Sequence, residues 1–324
     1  MNTTRLGRTG LEVSRICLGC MSFGKITDER PWVLGLDDAR PIFRTAWEAG
    51  INFFDTANVY AEGTSEEITG QLIAEIAPRD QIVLATKVFG RMRPGMNGMG
   101  LSRKAILSEI DHSLKRLGTD YIDLYQIHRF DPFTPVEETM EALNDVVRAG
   151  KARYIGASSM WAWQFCKLQN AAERNRWTRF VSMQDQISLT YREEEREMIP
   201  LCLDQGVALL PWSPLGGGKL TRPWGTSTKR ATTDRYNKSM YENSDDNAPA
   251  IVAAVEAVAN ARGVAMAQVA LAWVLQKPGV TSPIVGASKL SHVQDAIAAE
   301  ALSLTPAEVA QLEEPYQSIH VVGF

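Results

Sequence analysis

Asp55, Tyr60, Lys87 and His128 each stand just past one of three successive hydrophobic runs. A carboxylate, a phenol, an ammonium and an imidazole meeting at one point can manage a single proton. The runs are Ile51-Asn-Phe-Phe54, Gln81-Ile-Val-Leu-Ala85 and Tyr121-Ile-Asp-Leu-Tyr-Gln-Ile127, each read as a buried parallel strand with a polar group where it ends. Tyr60 is the expected donor of a proton to a carbonyl oxygen. A free phenol ionises only near pH 10, and Lys87 beside it favours the phenolate and draws that value toward working pH. Asp55 is expected to pair with Lys87 and hold it, and His128 to hydrogen-bond the same carbonyl oxygen and orient the substrate. Taken singly, the tyrosine could be surface packing, the aspartate a helix cap, the lysine a solvated end and the histidine a satisfied core residue. Their order at three successive strand ends is what points to reduction of a carbonyl compound.

The elements that must carry these groups follow from the alternation along the chain. Short β-branched runs near 16–19, 51–54, 81–86, 121–127, 152–156, 180–184, 207–211 and 281–285 read as strands. Amphipathic or capped stretches at 38–49, 65–76, 102–117, 135–149, 161–174, 193–204 and 289–299 read as the helices between them. Ser102 is a candidate N-cap, Ile106, Leu107, Ile110, Leu114 and Leu117 recur at helical spacing, and Gly118 is the stop. Eight such units make a (β/α)8 TIM barrel. Residues 3–15 read as an N-terminal β-hairpin that closes the barrel floor, 250–276 as two extra helices broken at Gly263, and 305–312 as a terminal helix. Residues 1–324 are expected to form a single domain. An open doubly wound sheet also alternates strands and helices, but its G-x-G-x-x-G turn is missing, since Gly19-Cys-Met-Ser-Phe-Gly24 lacks the spacing.

A barrel of this kind places its active site at the carboxyl ends of the strands and often binds phosphate beyond strands seven and eight. After strand seven comes Pro211-Trp-Ser-Pro-Leu-Gly-Gly-Gly-Lys-Leu220, in which glycines such as Gly217 let backbone amides approach an anion and Lys219 adds charge. Trp212 could stack on a nicotinamide ring. After strand eight, Ser288 and Lys289 open a helix, a setting suited to a ribose phosphate. Ser158 and Ser159 end strand five and Gln184 ends strand six, where all three could bond a carboxamide or equally serve as caps.

Composition narrows the rest. The chain has 324 residues, 45% hydrophobic, with a formal charge of −4. That balance gives no net attraction to a phosphate polymer, so nucleic acid is not an expected partner. No run approaches the roughly 18 apolar residues of a membrane span, and the start lacks a signal-peptide apolar region, so no membrane partner and a cytoplasmic location are expected. Cys17, Cys20, Cys166 and Cys202 are too few and scattered for a disulfide framework. Cys17 and Cys20 should face opposite ways from a buried strand, and no second pair completes a zinc site, so no metal is expected. Oligomeric state is not legible.

From the N-terminal hairpin to about residue 315, the chain resembles the aldo/keto reductase superfamily. The likeness is carried by Leu18-Gly19 with Met21, Asp55-Thr-Ala-Asn-Val-Tyr60, Ala85-Thr-Lys87, Gln126-Ile-His128, Gly156-Ala-Ser-Ser159, Gln184, Trp212-Ser-Pro-Leu215 and Gly286-Ala-Ser-Lys289. The resemblance implies an NADPH-dependent reductase in which hydride passes from the nicotinamide to an aldehyde or ketone while Tyr60 supplies the proton. It also implies a cofactor site drawn from Gly19, Met21, Asp55, Ser158, Ser159, Gln184, Trp212, Ser213, Pro214, Leu215, Gly217, Lys219, Gly286, Ser288, Lys289 and His292. The small carbonyl substrate would meet Tyr60 and His128, and Arg129 and Trp224 in mouth loops.

More narrowly, Asn52-Phe-Phe-Asp-Thr-Ala-Asn58, 137–147, 150–159 and 191–198 resemble a bacterial branch that is also similar to potassium channel β subunits. Leu220-Thr-Arg-Pro-Trp-Gly225 and the ending Val321-Val-Gly-Phe324 resemble reductases named 1-deoxyxylulose-5-phosphate synthase. Two alternatives follow, conversion of a sugar phosphate and a dinucleotide-binding redox sensor with slow turnover. Ser159 stands where the superfamily commonly has Asn. His292 and Ala296 stand where other residues often contact the adenosine end, while Lys289 keeps one cation for a 2′-phosphate. Long loops at 89–101, 221–249 and 315–324, with Arg91, Arg93, Arg129, Arg222 and Trp224, are expected to wall the substrate pocket.

Overall fold

The computed structural model describes residues 1–226 and 247–321. Eight parallel strands follow one another around a curled sheet: β3 (Cys17–Gly19), β4 (Phe53–Asp55), β5 (Val83–Val88), β6 (Ile122–Ile127), β7 (Ala152–Ser158), β8 (Phe180–Gln184), β9 (Ala208–Leu209) and β10 (Ile284–Gly286). β10 pairs with β3, with Ile284 opposite Cys17 and Gly286 opposite Gly19. The other side of β10 meets the chain beyond β9 through a parallel bridge between Trp212 and Ile284, with the Ile284 amide donating to the Pro211 carbonyl at 2.8 Å. The sheet thus returns on itself as the (β/α)8 TIM barrel expected from the alternation.

Between the strands lie α1 (Leu36–Glu48), α2 (Thr64–Ile76), α3 (Arg103–Leu117), α4 (Val136–Arg148), α5 (Ala162–Asn175) and α6 (Met198–Gln205). Two further helices, α7 (Ala248–Arg262) and α8 (Met266–Gln276), precede β10, and α9 (Leu290–Glu300) and α10 (Pro306–Glu313) follow it. The Ser102 side chain accepts from the Ala105 amide at 3.3 Å, and Gly118 closes α3 in a left-handed conformation, as the sequence predicts. The two extra helices and the terminal one also occur, the latter behind a capping box of Thr305 and Glu308.

Alternation along the strands sorts side chains into two cores. Cys17, Phe53, Val83, Ala85, Leu124, Ala208, Leu210 and Ile284 form an inner cluster. It is sealed below by Leu6 and Val13 of the hairpin β1 (Thr3–Arg5) and β2 (Glu12–Ser14), so the hairpin does close the floor. The intervening residues, such as Leu18, Phe54, Leu84, Tyr125 and Ile155, face the helices, and Phe54 stacks on Phe43 of α1 at 4.2 Å. Cys17 belongs to the inner core and Cys20 to the outer one, but the strand ends at Gly19 and Cys20 opens a 3-10 turn, so they do not share the strand expected of them; burial pushes the Cys20 thiol up to about 12. Among the described residues no three histidine, cysteine or acidic groups could hold a metal ion, and no single helix is long and apolar enough to cross a membrane.

Several boundaries differ from expectation, among them the strands read at 81–86 and 281–285, which run over Val83–Val88 and Ile284–Gly286. The strand read at 51–54 starts two residues later because the Ile51 amide still bonds Ala46 and the Asn52 side chain accepts from Ser14 of the hairpin at 2.8 Å. The run at 207–211 contributes only two ladder residues, its end carrying Pro211, which has no amide to donate. The helix read at 193–204 splits into a single 3-10 turn at Glu193–Glu195 and α6.

Helix α2 crosses the end of α3 so closely that a Cβ on Gly70 would lie 2.2 Å from the Leu117 carbonyl oxygen. Backbone cannot swing aside as a side chain can. Gly70→Ala should therefore cost about 1–3 kcal/mol in urea unfolding, an overpacking penalty, despite alanine's better helix propensity. An unchanged or raised midpoint would mean that the two helices do not approach this closely.

Candidate active site

The inner face of the barrel changes character along its axis. Below, the inward side chains are apolar; one step further toward the carboxyl ends they are Asp55, Lys87, Gln126 and Gln184. Strand register pairs Lys87 with Gln126, while Asp55 lies opposite Gly19 and Ala85 and Gln184 opposite Ser158, so the four climb stepwise around the barrel. Lys87 is fully buried and Asp55 is 2% exposed.

The Lys87 ammonium donates to the Asp55 carboxylate, to the Thr56 carbonyl at 2.8 Å and to the Tyr60 hydroxyl at 3.3 Å. These are its three donors, each with an acceptor. The second Asp55 oxygen accepts from Gln126 at 2.9 Å and Gln184 at 3.0 Å. Burial alone would favour the neutral amine, but the Asp55 charge and the bonds to Asp55 and Tyr60 outweigh it and hold Lys87 above its ordinary value.

Tyr60 reaches this group through a loop that continues the β5 ladder. The Thr56 amide donates to the Ala85 carbonyl at 2.9 Å and the Asn58 amide to that of Lys87 at 3.2 Å. The Asn58 side chain donates to the buried Glu109 of α3 at 3.3 Å, and Arg93 of the following loop grips the same carboxylate at 2.8 Å. Beyond Tyr60 the chain turns back sharply, with Ala61, Glu62 and Gly63 all at positive φ. His128 follows β6, and its ring meets that of Tyr60 edge-on at 5.6 Å. Burial, with the nearby charges of Lys87 and Arg129, keeps its imidazole well below its usual pKa, so the ring is neutral. All four predicted groups are therefore brought together, and Lys87 is the centre of the arrangement.

The residues expected around a cofactor line the same end of the barrel. Gly19 and Gly286 are paired in register, and Met21 sits half-buried in a 3-10 turn that follows β3. Ser158 donates to the Gln184 carbonyl at 2.8 Å. The Gln184 amide nitrogen is engaged with Asp55 and Gln126, which leaves its oxygen as the atom to offer a ligand. Ser159 has φ 45°, and its hydroxyl accepts from the Trp212 indole at 3.1 Å. Beyond Trp212, Ser213 and Gly216 to Gly218 take positive φ, with Pro214 buried and Leu215 half-buried. Lys219 lies 5.8 Å from the ring of Trp224. Lys289 is exposed at the N-cap of α9, and the Ser288 amide donates to the His292 ring at 3.3 Å. Ala296 is buried in the outer core.

Around the mouth, Arg129 donates to the His128 carbonyl at 2.6 Å, and Trp224 stands exposed. Phe133 (94% exposed) and Trp163 (60%) add apolar rings to the rim, the latter against Phe130. Residues 227–246 of the expected wall 221–249, and 322–324 of the ending Val321-Val-Gly-Phe324, lie outside the described residues.

Four residues of the site were given no role from sequence: Gln126, Asn58, Glu109 and Asp185. Gln126 was findable, since it precedes His128 by two positions on one strand and must share its face. The others act across elements.

The profile of the aldo/keto reductase family matches residues 15–317. Versiconal hemiacetal acetate reductase of Aspergillus parasiticus is 46% identical over 99% of both chains. An aldo-keto reductase of Fusarium vanettenii is 44% identical over 98% of this chain and 92% of its own. Another, of Metarhizium robertsii, is 42% identical over 98% and 92%.

The neutral His128 has a measurable consequence. Its folded pKa lies below the unfolded value of about 6.5, so the contribution of this group to stability falls below that pH. Asp185 and Glu194, whose carboxyls burial pushes up to about 7 and about 9, tilt the whole curve the other way, so the His128 share is read as a difference between two proteins. Urea unfolding from pH 7 to 5 should differ in slope between the parent and His128→Gln by up to about 1.4 kcal/mol per pH unit, the parent losing more or gaining less. An identical slope in the variant would mean that the imidazole is charged in the folded protein.

Proposed function

Because this chain belongs to the aldo/keto reductase family, we propose that it reduces an aldehyde or ketone to an alcohol with NADPH, Tyr60 giving the proton. One observation carries the assignment: a single buried ammonium donates both to the Asp55 carboxylate and, at 3.3 Å, to the Tyr60 hydroxyl.

The pocket walls suit a dinucleotide. Asp185 Oδ2, without a partner among the described residues, is buried behind the wall formed by Ser159 and Trp212, whose hydroxyl and indole give that wall a polar character. Gly217 and Gly218, at φ 64° and 92°, turn backbone in the manner of an anion-binding nest near Lys219. Ser288 and Lys289 offer a helix N-terminus and a cation. Gly19, Met21 and Gly286 would border the cofactor, Ser158, Ser159 and Gln184 would hold the carboxamide, Trp212 and the run Ser213-Pro214-Leu215 its flank, and Lys289 with His292 the 2′-phosphate end. When bound, NADPH supplies a hydride.

The protein's own part is the proton. As negative charge develops on the carbonyl oxygen, neutral His128 donates a hydrogen bond to it and holds it beside the Tyr60 hydroxyl. Tyr60 releases its proton to that oxygen. The phenolate left behind faces the Lys87 ammonium, whose charge Asp55 keeps in place against burial. A histidinium at position 128 would compete as an acid and repel Lys87, which its depressed pKa prevents.

The exposed Phe133 and Trp163 favour an aromatic carbonyl compound, with Arg129 and Trp224 at the rim as further contacts. The finer likeness to a bacterial branch rests on short quoted segments, whereas the relatives named above are fungal reductases. Carbonyl reduction is therefore placed above sugar phosphate conversion. Four free cysteines support a cytoplasmic setting for this one-domain enzyme.

Tyr60→Phe should lower turnover of a test aldehyde such as 4-nitrobenzaldehyde by about 10²–10⁴, the usual share of general acid catalysis, while NADPH affinity by fluorescence titration stays within about twofold. Retained turnover would overturn the proton-donor role. Lys289→Ala should weaken NADPH roughly tenfold or more, as loss of a charge-assisted bond implies, and NADH far less. Equal losses would place the 2′-phosphate elsewhere.

A further inference from the structure

Ser159 is held in a backbone conformation that serine rarely adopts. At φ 45° it sits in the left-handed region, which costs a side chain free energy unless its surroundings over-determine it. The surroundings here converge on Asp185, the residue after Gln184. Its carboxylate Oδ1 accepts at 3.0 Å from the Ser159 amide, which is shared with the Gln184 carbonyl at 3.2 Å, and its main-chain carbonyl accepts from the Trp212 amide at 2.8 Å. The Trp212 indole in turn donates to the Ser159 hydroxyl. One aspartate thus ties together two walls that come from the ends of different strands.

We propose that Asp185 is a positioning residue for the nicotinamide end of the pocket, locking Ser159 left-handed so that its hydroxyl and the Trp212 ring stand where the ring and carboxamide are received. The proposal rests on the cofactor assignment made above. It accounts for a cost that packing alone does not explain. Asp185 is fully buried, its Oδ2 has no partner among the described residues, and burial pushes the carboxyl up to about 7 against the opposing pull of the Ser159 amide and Arg129. A buried carboxylate with one oxygen unsatisfied destabilises the fold where an apolar residue of similar shape would not. What it supplies is the bond to Ser159.

The test uses the full chain and two ligands, NADPH and 2′-phospho-ADP-ribose, which shares the adenosine end but lacks nicotinamide. Asp185→Ala should raise the NADPH Kd roughly tenfold, the order expected when one strained left-handed residue is released. Affinity for the fragment should stay within about twofold, because its contacts lie elsewhere. Asp185→Asn, whose amide oxygen can still accept from Ser159, should bind NADPH nearly as the parent does. Adding Ser159→Asn to Asp185→Ala should restore most of the lost affinity, since asparagine enters the left-handed region more readily than serine. Asp185→Leu, similar in shape and free of the burial cost, replaces Asp185→Ala if the latter does not fold.

Undiminished NADPH binding by Asp185→Ala, equal loss of NADPH and fragment, or failure of Ser159→Asn to restore binding would each overturn the positioning role. If the parent protein binds the fragment as tightly as NADPH, the nicotinamide assignment itself fails and the proposal with it. The two failures are told apart by the parent alone.

Discussion

An ion pair with almost no access to water organises the active end of this barrel. Removing an ammonium and a carboxylate from water costs several kcal/mol for each ion, and their attraction recovers this only with good geometry and every remaining donor and acceptor satisfied. Lys87 meets that condition with Asp55, the Thr56 carbonyl and Tyr60; Asp55 meets it with Lys87, Gln126 and Gln184. The tyrosine is therefore part of the solution to a burial problem. If its hydroxyl left, one lysine donor would lose its acceptor, so the electrostatics that prepare the phenol also keep it in place.

That pair can exist because the strands separate two environments within a few residues. The inner cluster of Cys17, Phe53, Val83, Ala85 and Leu124, plugged by the hairpin, makes a dry floor. Asp55, Lys87 and Gln126 stand directly above it, two residues further along their strands. The dry floor keeps water from solvating the ions from below, and a low local dielectric strengthens each bond around them. The outer helices secure the geometry: α3 supplies Glu109 to Asn58, so the loop bearing Tyr60 is fixed from behind as well as by Lys87.

The strand periodicity made the barrel, its hairpin floor and the four chemical groups legible, because all depend on which residue ends each strand. What depended on register or on partners distant in sequence was not. Asn52 looked like part of a strand, yet its side chain is spent on the hairpin, which shortens β4. Gln184 was read as a carboxamide ligand from its place at a strand end, and its place is right, but its amide nitrogen serves Asp55 across the barrel. Asp185 offered no signal at all: its partners Ser159 and Trp212 lie 26 and 27 residues away on either side, and only the closed sheet brings them together.

Backbone strain follows the same division. Among the described residues, positive φ at a residue other than glycine occurs at Ala61, Glu62, Phe89, Asn97, Ser159, Arg176 and Ser213, and all but Arg176 lie in segments that follow strand ends. Arg176 merely caps α5. Such conformations cost about 1–3 kcal/mol each and persist only where neighbours impose them. The helices and the apolar interior can carry that load, since neither contains a comparable residue apart from the cap. A fold that gathers its unfavourable backbone at one face has a rigid body from which that face is held, and the face so held is the one on which Tyr60, His128, Ser159 and Trp212 converge.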